Sequence, residues 1–111
     1  MHSPFACDMT VIPAAERGTH HELIRRLMSE AIHDIRELPD GFAFRFAAEE
    51  YDSVVRFVAR ERLCCPFLSF ALEVTPERGP LWLRLTGAEG VKDFIRAELR
   101  LPDSGSLPHA S

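Results

Sequence analysis

Leu38-Pro39-Asp40-Gly41-Phe42-Ala43-Phe44-Arg45-Phe46 is the stretch whose reading decides the fold. Pro-Asp-Gly between two apolar runs is a turn with a mechanism, because proline presets φ and glycine accepts positive φ. Phe42, Phe44 and Phe46 alternate strictly with Ala43 and Arg45. At a period of two they share one buried face of a strand. The run before the turn, Ile32-His33-Asp34-Ile35-Arg36-Glu37-Leu38, is its natural partner, and a hairpin follows.

Downstream the same pattern returns. After Pro66, Leu68, Phe70, Leu72 and Val74 alternate with Phe67, Ser69, Ala71, Glu73 and Thr75. Leu81, Leu83 and Leu85 alternate with Trp82, Arg84 and Thr86, and Thr75-Pro76-Glu77-Arg78-Gly79-Pro80 joins the two runs as a loop. This predicts a second hairpin.

Helical periodicity fills the remaining stretches. Leu23, Ile24, Leu27, Met28, Ala31 and Ile35 recur at steps of three and four. They predict an amphipathic helix over about 13–33 that ends, on another reading, before Asp34. Thr19-x-x-Glu22 is an alternative start, as a capping box. Val54, Phe57, Val58 and Glu61 predict a second helix over 49–63, its row widened by Tyr51 and Val55 and extended by Cys64 and Cys65. Glu49, Glu50 and Asp52 suit the positive end of that helix, and Arg60 and Arg62 the negative end. Val91, Phe94, Ile95 and Leu99 predict a last helix over about 91–99. Phe5, Cys7, Met9 and Val11 alternate in a short extended arm that Pro13 ends, a candidate fifth strand. Residues 102–111, rich in Ser, Pro and Gly, predict a disordered tail after a single domain over 1–101.

The expected architecture is therefore α+β: an N-terminal helix, then a β-β-α-β-β-α unit. About four antiparallel strands would carry helices on one face. The strand order is open. Phe70 and Trp82 on an uncovered sheet face would favour a homodimer.

Composition narrows the function classes. The chain has 111 residues, 46% hydrophobic and 27% charged, with a net charge of -4. It lacks the clustered Lys and Arg that phosphate contacts require, so no nucleic-acid partner is expected. No signal peptide is expected, because Met1-His2-Ser3-Pro4 lacks a cationic n-region and is followed by too short an apolar run, and no run of roughly 20 apolar residues offers a membrane span. A cytoplasmic location is expected. Three cysteines make a secreted disulfide framework unfavoured, and a reducing compartment keeps thiols free unless something binds them.

The chemistry concentrates in Glu61-Arg62-Leu63-Cys64-Cys65-Pro66-Phe67. Two adjacent thiols close a helix, and Pro66 pushes Cys65 out of the α region. Residues three and four apart on a helix lie on one side, so Glu61 is near both thiols. The helix C-terminus disfavours thiolates, unlike the N-terminus used by Cys-X-X-Cys redox proteins. A bound soft cation reverses that balance. Thiolates select soft metals such as Cu(I) or zinc, and by extension Hg(II) and As(III). The two separated pairs of a structural zinc site are absent. With Cys7 folded onto the pair, three sulfurs would suit a trigonal soft ion. The plain alternative is that the cysteines pack as small hydrophobes. His20 and His21 point about 100° apart on a helix and do not chelate together. Both are read as solvated, and no phosphate loop or nucleophile elbow is present.

The segment 61–67, together with Leu81-Trp82-Leu83-Arg84-Leu85-Thr86-Gly87, Gly90-Val91-Lys92, Leu38-Pro39-Asp40-Gly41-Phe42 and Ala6-Cys7-Asp8-Met9, resembles a family of small bacterial proteins without an assigned activity. That family is associated with heavy-metal, arsenic and mercury resistance. The resemblance covers most of the chain and implies that Cys7, Cys64 and Cys65 belong to one pattern. It carries over no catalytic roles.

The expected function is thus binding of a soft metal ion (Hg, As, Cu or Zn) for sequestration or for transfer to a partner protein. The ligands would be Cys64, Cys65 and Cys7, with Glu61 in the outer shell. No organic cofactor and no catalytic residues are expected. The competing expectations are a thiol redox protein and a structural or interaction domain with buried cysteines.

Overall fold

The computed structural model describes residues 5–101. The tail expected over 102–111 lies outside the described residues. The architecture is α+β, with a four-stranded antiparallel sheet and helices packed on it. Helix α1 (Ala14–Arg26) continues through a π-helical turn, Leu27–Ala31, straight into strand β1 (Ile32–Leu38). Strand β2 (Gly41–Phe46), helix α2 (Tyr51–Cys64), strands β3 (Ser69–Val74) and β4 (Leu81–Thr86) and helix α3 (Val91–Glu98) follow. The strand order is β1-β2-β4-β3, so the two hairpins meet through β2 and β4.

Register follows the sequence pattern. Phe42, Phe44 and Phe46 stand opposite Leu85, Leu83 and Leu81, and all six are buried. Directly opposed residues of an antiparallel pair share a face. Leu23, Leu27 and Ala31 from the first helix, Val54 and Phe57 from α2, and Val91 and Ile95 from α3 complete one core on that face. Burial of such side chains contributes roughly 1.5–3 kcal/mol each. β1 places a charge in this face: Glu37 is buried opposite Phe42. Lys92 at 2.8 Å and Arg96 at 3.4 Å, both from α3, compensate it.

Four expectations are corrected. The N-terminal arm is not a strand: Met9–Val11 forms a 3-10 turn because the Asp8 carboxylate accepts from the Thr10 backbone N–H at 3.0 Å. A short polar side chain here competes with strand pairing for the backbone donor. Tyr51 and Val55 do not widen the buried row of α2; they are 45% and 39% exposed. Phe70 and Trp82 do not share a face. Phe70 pairs with Leu85 on the helix-covered side, whereas Trp82 stands between Arg45 and Glu73 on the other, with Arg36 5.7 Å from its ring. Gly41 does not supply positive φ, which among the described glycines belongs to Gly90. A Cβ at Gly41 would lie 1.9 Å from the Leu85 carbonyl oxygen, so close approach of β2 to β4 is what requires glycine there.

Candidate functional site

α2 presents Phe57, Glu61 and Cys64 at steps of four and three, and all three are buried. Cys65 follows as the residue that leaves the helix, with φ -124° and its N–H bonded to the Glu61 carbonyl at 2.8 Å. Pro66 explains the exit, since it excludes α geometry at the preceding residue. The chain then turns, with Leu68 N–H donating to the Cys65 carbonyl at 3.1 Å. The vicinal pair thus sits at a fixed corner between α2 and β3.

Residues 5–12 lie across this corner as a strap. The Asp8 N–H donates to the Cys64 carbonyl at 2.7 Å. Ile12 is fully buried against Cys64 and Cys65 in a small second cluster, with Met9, Phe67 and Leu68 packed around it. Arg17 Nε donates to the carbonyls of Met9 (3.0 Å) and Ile12 (2.9 Å), tying the strap to α1. The Phe5 ring rests 5.0 Å from that of Phe67.

The strap delivers Cys7 to the pair. Cys7 and Cys65 form a disulfide across 58 residues, with their Cα atoms 4.6 Å apart. This departs from the expectation of three free thiols: the strap holds the two Cα atoms within the range a disulfide spans. Cys64 remains a free thiol, its sulfur 3.7 Å from that of Cys65. Glu61 Oε1 lies 3.3 Å from Cys65 Sγ. The ligand atoms of Cys7, Glu61, Cys64 and Cys65 all fall within 4.8 Å of one another. All four residues singled out from the sequence therefore converge.

His20 is the residue that sequence reasoning missed. It is 3% exposed rather than solvated, and its Nε2 lies 2.8 Å from Glu61 Oε2. Its ring stacks on Phe57 at 6.4 Å, and its buried Nδ1 has no hydrogen-bond partner among the described residues. The signal was present: His20, Leu23 and Leu27 stand at i, i+3 and i+7, so His20 begins the buried stripe of its helix. His21, one position on, is exposed as expected.

These contacts define the electrostatics. Burial first, and then the Glu61 charge, push the Cys64 thiol up to about 11. Cys64 is a poor thiolate unless a cation joins it. The order of groups runs thiol, carboxylate, imidazole. A nucleophile activated by histidine needs the imidazole next to the sulfur, and here Glu61 stands between them. The three sulfurs and one carboxylate oxygen lie close enough together that they could hold a metal ion, and such donors suit a soft cation.

Compared with family models, curated proteins and solved structures, the chain matches none of them. No helix among the described residues is long and apolar enough to cross a membrane.

Proposed function

We propose that this protein, in its reduced form, captures a soft thiophilic ion such as Hg(II), As(III) or Cu(I) through Cys7, Cys64 and Cys65, for sequestration or for transfer to a partner protein. The observation that carries this reading is the convergence of three sulfurs and the Glu61 carboxylate within 4.8 Å. The ion supplies the positive charge that the helix C-terminus, burial and Glu61 otherwise deny a thiolate. Glu61, positioned by His20, serves as an outer-shell group. Two equivalents of a thiol reductant open the Cys7–Cys65 disulfide to give the three-thiol form. Reductants of that kind fit a cytoplasmic setting.

The test is a titration of reduced protein with Hg(II), Cu(I) and arsenite, comparing wild type with the Cys64→Ser, Cys65→Ser double variant. Tight binding in wild type and its loss in the double variant is expected; equal affinities would sink the reading. A thiol redox role draws on the disulfide itself, with Cys64 3.7 Å from one of its sulfurs. The raised pKa of Cys64 opposes it.

A further inference from the structure

The two sulfurs of the disulfide are not equally placed. Cys65 is fully buried, as is its neighbour Cys64. Cys7 is half-buried, and Ala6 and Asp8 on either side of it are exposed. A disulfide opens when a thiolate attacks one of its sulfurs and expels the other, and access helps decide which sulfur is attacked. Access here selects Cys7 for attack and Cys65 for expulsion. The Glu61 carboxylate, 3.3 Å from Cys65 Sγ, repels negative charge at that sulfur. It opposes a thiolate arriving at Cys65 and a thiolate leaving on Cys65 alike, so it slows opening without changing which sulfur is reached.

The expelled sulfur already faces a hydrogen-bond donor. Cys65 carries no hydrogen while it is bonded to Cys7, so the hydrogen in the 3.7 Å contact between the Cys64 and Cys65 sulfurs belongs to Cys64. That S–H also faces the Glu61 carbonyl oxygen at 3.6 Å. As charge develops on Cys65, the bond to sulfur gains over the bond to the carbonyl, because hydrogen bonds to ionised acceptors are the stronger ones. Contacts other than the disulfide hold Cys7 in place: the Asp8 N–H on the Cys64 carbonyl at 2.7 Å and the Phe5 ring on Phe67.

We infer that Cys7 is a thiolation site: small-molecule thiols attack its sulfur in the disulfide form, Cys65 leaves with a hydrogen bond from Cys64, and Cys7 carries the mixed disulfide. In the step, R–S⁻ and Cys7–S–S–Cys65 give R–S–S–Cys7 and Cys65–S⁻, which takes up the proton that the attacking thiol lost. One S–S bond forms and one breaks; the small thiol is oxidised and Cys65 is reduced. A second thiolate releases R–S–S–R and leaves Cys7 as a thiol. This goes beyond the soft-metal reading by giving the order in which the sulfurs are freed, and it stands without a metal.

The experiment exposes the oxidised full chain to mercaptoethanol, stops exchange with acid at intervals, alkylates the remaining thiols with N-ethylmaleimide in denaturant and assigns each cysteine by peptide mass spectrometry. At early times mercaptoethanol should be found on Cys7 and maleimide on Cys64 and Cys65. Mercaptoethanol on Cys65, or shared equally between Cys7 and Cys65 as opening through unfolding would give, overturns the inference. So does a disulfide that opens only in denaturant. Cys64→Ala, which keeps the disulfide and removes the donor, should slow the first step about three- to tenfold, the worth of one hydrogen bond, with the adduct still on Cys7. Cys64→Ser, whose hydroxyl also donates, should keep most of the wild-type rate. Equal rates in wild type and Cys64→Ala overturn the role given to Cys64. Hg(II) titration of reduced protein is a separate matter: if it binds no Hg(II) while the adduct lies on Cys7, the soft-metal reading falls and this one holds. If it binds Hg(II) while the adduct lies on Cys65, only this inference falls.

Discussion

Phe44 and Cys64 are both fully buried, but in different company. Phe44 belongs to the large cluster that joins the three helices to the central strands β2 and β4. Cys64 belongs to a cluster of three, with Ile12 and Cys65, closed over by the strap. The first repeats the period-two pattern of the sheet, and the buried charge on its face, Glu37, is met by Lys92 and Arg96. The second borders on a disulfide, a buried carboxylate and a buried imidazole. Burial in the first region serves stability. In the second it also alters the protonation of the thiol, and five ionisable or oxidisable side chains, Cys7, His20, Glu61, Cys64 and Cys65, meet there from three separate stretches of chain.

The comparison is broken or sharpened by substitution on each side. The largest loss should come from Phe44→Ala, about 3–5 kcal/mol of stability by chemical denaturation, with reduced protein that still folds keeping its Hg(II) affinity. A change in affinity at matched folded fraction would show that the two regions are not separate. Cys7→Ser removes a cross-link over 58 residues and should cost about 2–4 kcal/mol under oxidising conditions. Under reducing conditions its cost should largely vanish, because the loop is then open in wild type too. His20→Leu leaves Glu61, which is 7% exposed, without its imidazole partner and should cost about 1–3 kcal/mol. Adding Glu61→Leu to it should recover part of that loss; strict additivity in this double-mutant cycle would mean that the pair is not coupled.

The last effect is the dependence on alkaline pH. In the folded protein the Cys64 thiol is pushed from 9.0 up to about 11. The folded state therefore binds this proton more tightly than the unfolded chain does. The stability it contributes is present in full below pH 9 and is lost as pH rises through about 11. Denaturation curves of oxidised protein between those values should fall more steeply for wild type than for Cys64→Ala. Parallel curves would place the thiol in a more polar setting than its burial indicates.

How much of this was legible in advance follows from the range of each signal. The strict alternation of Phe42, Phe44 and Phe46 with Leu81, Leu83 and Leu85 downstream declared two hairpins and an apolar face. Such alternation is local and survives without knowledge of partners. The 49–63 helix was read to within about two residues because its apolar row and its proline stop are local as well. The misreadings came where a side chain competes with the backbone or where a partner lies far along the chain. Asp8 captured Thr10 N–H and turned the arm into a 3-10 strap. His20 became a buried residue because Glu61, 41 positions away, accepts its hydrogen bond.

The sequence by itself determined the elements, the apolar sheet face and the identity of the four candidate ligands, since period, turn chemistry and the Cys64-Cys65-Pro66 junction are short-range. Only the tertiary structure decided the strand order, the opposite facing of Phe70 and Trp82, the pairing of Cys7 with Cys65 and the burial of His20. Each of these depends on which distant segments come within a few ångströms, and the packing of the strap and helices over the sheet settles that, not spacing along the chain.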